Sequence, residues 1–160
     1  MIIENLQEFY QLLTPRQPII SIDYGAKKMG IAISNQERSI AMPLLIIKES
    51  MEKDKINTIL NLLKTYSLCG IVIGWPISMN GQENSQTLEV HNFTKNLSKA
   101  SALPIYLQDE RLTSMAANSL LKSFGIKRKE RHKHDDMIAA SMILETTLNS
   151  MSKLEISCDV

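Results

Sequence analysis

The chain is predicted to fold as a mixed α/β domain, a five-stranded sheet with helices on both faces. Two patterns in its 160 residues predict this. The first half holds three short β-rich runs joined by polar turns, which marks consecutive antiparallel hairpins. The second half alternates apolar runs with apolar residues recurring at three- and four-residue steps, which marks parallel strands joined by helical crossovers. A sheet carrying both kinds of connection is mixed, and right-handed crossovers set its fourth and fifth strands parallel to the first.

Residues 1–18 read as an amphipathic lead-in, with Leu6, Phe9, Tyr10 and Leu13 at helical spacing before Pro15 and Pro18. The main domain, 19–148, opens with the strand Ile19 to Asp23, a turn through Tyr24-Gly25-Ala26-Lys27-Lys28, and a second strand from Met29 to Ser34. The third run, Ile40 to Ile47, contains Pro43, which cannot donate to a ladder and so predicts a sheet edge or a bulge. Ser50 is the expected N-cap of a helix carrying Ile56, Ile59, Leu60, Leu63 and Tyr66 on its apolar face. Ile71-Val72-Ile73 then suits a buried parallel strand ended by Gly74-Trp75-Pro76. A helix with the stripe Val90, Phe93, Leu97 and Ala100 precedes the fifth strand, from Pro104 to Leu107. Thr113 can cap a helix through Leu121, a basic loop follows from Lys122 to His134, and a last helix covers about 135–148 before a tail, 149–160, expected to fray.

With 44% hydrophobic and 22% charged residues, the composition is that of one globular domain and excludes collagen-like, disordered and disulfide-rich classes. Two cysteines make no disulfide framework, and no segment approaches the roughly 18 apolar residues of a membrane span. A cytoplasmic protein is therefore expected. The formal charge of +1 conceals an uneven distribution: Lys122, Lys127, Arg128, Lys129, Arg131 and Lys133 against Glu130 give +5 over residues 122–134, leaving −4 on the rest. A basic run is most often a solvated surface, but this one directly precedes Asp135-Asp136, where it could hold a phosphate backbone.

Ligands of open α/β sheets collect beyond the carboxyl ends of parallel strands. Asp23, Gly74 and Asp109-Glu110 end three strands, so they converge on one region that Asp136 can join. Asp23 shares a strand face with Ile19 and Ser21, and Asp136 precedes Ala140 by one helical turn. Carboxylates gathered on an inner face need neutralising, and Mg²⁺ or Mn²⁺ does so with hard oxygen ligands. Two such ions about 4 Å apart can drive phosphodiester cleavage. The bland alternative makes Asp135 and Asp136 first-turn acids favoured by the helix dipole, and pairs Asp109-Glu110 with Arg111. It explains Asp23 poorly, because a strand end has no such dipole.

Four stretches together resemble the YqgF family: Ile22-Asp23-Tyr24-Gly25-Ala26-Lys27-Lys28-Met29-Gly30-Ile31-Ala32-Ile33-Ser34; Gly74-Trp75-Pro76 with Met79-Asn80-Gly81; Gln108-Asp109-Glu110-Arg111-Leu112-Thr113; and Asp136-Met137-Ile138-Ala139-Ala140. The similarity spans residues 19–148 in the family's order. It implies a ribonuclease-H-like fold and a Holliday-junction-resolvase-like nuclease linked to maturation of the 16S rRNA 5′ end. It also implies acidic catalytic and metal-holding residues at Asp23, Glu110 and Asp136, with Asp109 and Asp135 as adjacent candidates. Lys27, Lys28 and Arg111 join Lys127, Arg128, Lys129, Arg131 and Lys133 as expected nucleic-acid contacts, with structured RNA favoured over branched DNA. Two departures stand out: Lys28 where the family has Arg, which loses a bidentate fork, and Asn80 where it has Asp, which loses a charge. The competing readings are a resolvase acting on branched DNA, a non-catalytic nucleic-acid-binding module, and a phosphate-loop ATPase, for which one domain is too few. Trp75 could stack a base or cover the core edge, and His91, His132 and His134 carry no assignment.

Overall fold

The structure is a computed structural model and describes residues 1–75, 85–109 and 128–158. The elements are β1 (Ile2–Ile3), α1 (Leu6–Leu12), β2 (Ile19–Asp23), β3 (Met29–Ser34), β4 (Ala41–Ile47), α2 (Glu52–Thr65), β5 (Gly70–Trp75), α3 (Ser85–Ala100), β6 (Ile105–Asp109) and α4 (Arg128–Cys158). The strands form one sheet in the order β1-β6-β5-β2-β3-β4. β5 and β6 run parallel to β2, as expected, and β3 and β4 complete the antiparallel half.

The sheet thus has six strands rather than five. The extra strand is β1, whose two residues pair with β6 at Ile2↔Ile105 and Ile3↔Tyr106. Two residues carry no periodicity, so only the β6 edge makes them a strand. Behind it α1 buries Phe9, whose ring lies 5.5 Å from that of Tyr106. Gly70 leaves room for this packing, since a Cβ there would stand 2.6 Å from Leu13 Cδ2 and 3.0 Å from Phe9 Cζ.

Alternation along the strands divides the core between the two faces. Ile20, Ile22, Ile71, Ile73 and Ile105 pack beneath Ile59 and Leu62 of α2 and Val90, Phe93 and Leu97 of α3. Ile19, Val72 and Ala32 face the other way, against Phe9 and against Ala140, Ile143, Leu144 and Leu148 of α4. Helices therefore cover both faces. β4 is the outer strand, and its register on β3 slips between Ile31 and Ala32, next to Pro43. The proline occupies both an edge and a bulge.

Three expectations about helices change. α2 is capped at Met51 without a side-chain hydrogen bond, one residue past Ser50. Its inward stripe is Lys55, Ile59 and Leu62, so Tyr66 is left 40% exposed, as Ala100 of α3 is also left outside. α4 begins at Arg128 and runs through Cys158 with Met151 buried, so 128–134 are helix rather than loop and 149–158 continue it. Burial of Leu148 and Met151 is what extends it; the tail's own sequence is polar enough to read as frayed. The helix expected from Thr113 to Leu121 and the Asn80-Gly81 loop lie outside the described residues.

Candidate active site

β2, β5 and β6 carry the candidate site at their carboxyl ends. Ile22, Ile73 and Leu107 stand in one row of the sheet, so Asp23, Gly74 and Gln108 form the next row out. Asp23 ends its strand half-buried on the face of Ile19 and Ser21, which α4 covers. Ser21 is fully buried, and its hydroxyl donates to the Ala140 carbonyl of α4 at 2.6 Å. That bond fixes the helix over the middle of β2.

From Ala140 the helix runs toward the amino end of β2. Leu148, Met151 and Ser152 line a small cavity with Glu37, Arg38 and Ser39, in the turn between β3 and β4. Thr147, two turns after Ala140, also reaches Gln108, so the helix crosses the strands obliquely. Asp136, four residues earlier, is about 6 Å along the axis from Ala140. Asp23 is about 6.6 Å along its strand from Ser21. The Ser21–Ala140 bond thus ties the helix that includes Asp136 to the strand that ends at Asp23.

The helix start also bears on the alternative reading of the last two acids. Asp135 and Asp136 lie two turns inside α4, beyond the reach of the helix dipole, which fades within the first turn. The first two turns instead hold Arg128, Lys129, Arg131 and Lys133, cations where the dipole disfavours them.

Asp109 ends β6 but alternates with Ile105 and Leu107, opposite Trp75, and so lies on the α2/α3 face, away from Asp23. Gln108 takes the α4 face, where its side-chain oxygen accepts from Thr147 Oγ1 at 3.1 Å. Lys27 and Lys28 are exposed in the turn that follows Asp23. Glu110, Arg111, Lys122 and Lys127 lie outside the described residues, and the helical positions 128–136 are described for their backbone only. Trp75 packs on the core edge with its ring 5.7 Å from His91, an edge contact.

Tyr24 and Lys55 escaped the sequence reading. Tyr24 turns to the α2/α3 face, its ring 5.0 Å from that of Phe93 and 5.3 Å from the Lys55 ammonium. Burial raises the Tyr24 hydroxyl above the ordinary tyrosine pKa, and the charges of Glu89 and Glu52 push it further. Beside this ring lies an open groove of about 580 Å³ whose walls carry Glu52 and Glu89 as well as Lys95 and Lys99, which makes it no track for a polyanion. The signal for Lys55 was the helix phase: the stripe through Ile59 and Leu62 passes through position 55, where a lysine interrupts an apolar series.

A sheet of this order, with an acid at the carboxyl end of its central strand and a long helix across one face, is the ribonuclease-H-like scaffold of nucleases. RuvC of Thermus thermophilus in complex with a Holliday junction substrate has the same fold, with a TM-score of 0.52 at 15% identity over 84% of this chain and 96% of that one. The fowlpox virus resolvase matches with a TM-score of 0.51 at 16% identity, over 84% and 99%. Residues 17–150 match the RuvX family model, described as Holliday junction resolvase. A Rickettsia bellii protein named "Putative pre-16S rRNA nuclease" is 63% identical over 154 residues, covering 96% of this chain and 100% of that protein. The chain belongs to the RuvX family, the YqgF family of the sequence resemblance. Its class is that of a nuclease, an enzyme that hydrolyses phosphodiester bonds in nucleic acid.

Proposed function

We propose that this chain is a divalent-metal-dependent nuclease that matures the 5′ end of the 16S rRNA precursor in the cytoplasm. The names of its relatives support the substrate. The observation that carries the site is the 2.6 Å bond from Ser21 to Ala140, which ties the element bearing Asp136 to the strand bearing Asp23. Asp23, Glu110 and Asp136 are the catalytic acids of this reading. Asp109, by its strand parity, is the weaker member of its pair, and Asp135 remains an adjacent candidate.

The donors are all carboxylate oxygens, the set that suits Mg²⁺ or Mn²⁺, and Asp23 supplies the best described of them. Asp23, Glu110 and Asp136 would hold the metal, which supplies an activated water and stabilisation for the leaving oxygen. Lys27 and Lys28, in the turn after Asp23, hold the phosphate backbone together with Arg111, Lys127, Arg128, Lys129, Arg131 and Lys133. Lys28 binds a phosphate as a point charge rather than through a fork. A backbone held by these cations brings its scissile phosphate to Asp23.

The test compares cleavage of a 16S rRNA precursor and a four-way DNA junction by the purified protein with Mg²⁺, beside Asp23→Asn. Cleavage of the precursor alone, lost in the variant, is the expected result. Preference for the junction moves the assignment to the resolvase named by the family description, and equal activity in Asp23→Asn overturns the site.

A further inference from the structure

We infer that Lys55 is a positioning residue for the nuclease site, holding the turn that carries Asp23, Lys27 and Lys28 from the opposite face of the sheet. The inference rests on the assignment of Asp23 to catalysis. Lys55 is 3% exposed, on a helix stripe it shares with Ile59 and Leu62. Removing an ammonium from water is costly unless polar groups receive it, so evolution of a plain core would place an aliphatic residue here. What receives it is the turn itself. Nζ donates to the Ala26 carbonyl at 2.8 Å and lies 5.3 Å from the centre of the Tyr24 ring.

Both contacts fall on residues 24–28, and they grip them at two points. The Tyr24 ring contacts both Phe93 and the ammonium, which sets where the chain leaves β2 just after Asp23. The bond to Ala26 sets the crest of the turn, next to the exposed Lys27 and Lys28. Between the two grips, Gly25 passes so close to the Lys28 carbonyl that a Cβ would stand 2.2 Å from its oxygen. A turn this tight transmits a displacement of Ala26 to its neighbours. The lysine never needs to touch substrate: it acts through the backbone of the acid it steadies.

Lys55→Met keeps the buried stem and removes the ammonium. Single-turnover cleavage of the precursor at saturating RNA and Mg²⁺ is expected to fall about tenfold, the lower range for losing a group that orients a metal-holding residue. Hydrogen exchange of the amides in 24–28 should accelerate while exchange in α2 and β5 stays slow, and Lys55→Arg should restore most of both. Wild-type cleavage and exchange in Lys55→Met overturns the inference. So does exchange that quickens throughout α2 and β5, or failure of both Lys55→Met and Lys55→Gln to fold, since either makes Lys55 a general core residue. If Asp23→Asn cleaves normally in the same assay, it is the assignment of the site that fails, and the exchange pattern still decides whether Lys55 holds the turn.

Discussion

The two turns that flank β3 are built by opposite means. The turn after Ser34 organises itself: Asn35 Oδ1 accepts from the backbone N–H groups of Ser39 and Ile40 at 2.8 and 3.0 Å, and Asn35 Nδ2 donates to Ser39 Oγ at 2.9 Å. Arg38 takes a left-handed φ of 54°, and its guanidinium donates to the Thr14 and Gln17 carbonyls at 3.0 and 2.8 Å.

The turn after Asp23 carries a different kind of contact. It is held from outside, by Lys55 of α2 and by Phe93 of α3 through Tyr24. On the proposed function, the difference separates a turn that only has to close the chain from one that has to aim a carboxylate. A self-contained turn keeps its shape wherever the sheet carries it, whereas a turn clamped by two helices keeps its place relative to them.

Substitutions at the two turns should therefore fail differently. The largest effect is expected from Asp23→Asn, which lowers cleavage by more than about 100-fold, beyond the range for groups that only orient a ligand, with little change in Tm. Gly25→Ala comes next. Its Cβ would stand 2.2 Å from the Lys28 carbonyl oxygen, so the turn must shift, with cleavage down roughly tenfold and stability lower by about 1–3 kcal/mol in a denaturant titration. At the other turn, Asn35→Ala removes the acceptor for two backbone N–H groups and should cost about 1–2 kcal/mol, a few degrees of Tm, while cleavage at a temperature where the variant is folded stays at the wild-type rate. A loss of activity in Asn35→Ala as large as that in Gly25→Ala would break the contrast.

The smallest effect is on alkaline stability, and it also divides the two ends. Burial raises the Cys69 thiol above its ordinary value of 9.0, against the opposing influence of the Thr14 backbone and Arg38, and burial first raises Tyr24 above 10.0. In both cases the folded protein holds its proton more tightly than the unfolded chain does. The resulting stability is complete below the unfolded pKa and is lost as pH rises through the folded one. Thermal melts from pH 8 to 11 should show Cys69→Ala flattening the decline that starts near pH 9 at the Arg38 end, and Tyr24→Phe flattening the part above pH 10 at the Asp23 end. Parallel curves for wild type and both variants would remove the assignment.

Much of this was legible in the sequence because it rests on local rules. Alternation along Ile19 to Asp23 set which residues share a face, and Pro43 marked the edge. The start of α4 was not legible, because a run of like charges reads as a loop unless something outside the run stabilises it as helix. Nor was β1, whose two residues become a strand only on the edge of β6.

By itself the sequence determined the hairpins, the crossovers, the parity that sets Asp23 on the face of Ile19 and Ser21, and the acids that end the strands. These follow from the period of side-chain direction and from turn chemistry, which act within a few residues. The tertiary structure alone decided that Ser21 would meet Ala140 and that Lys55 would reach Ala26, because each contact joins residues far apart in the chain and depends on the angle at which a helix crosses the sheet.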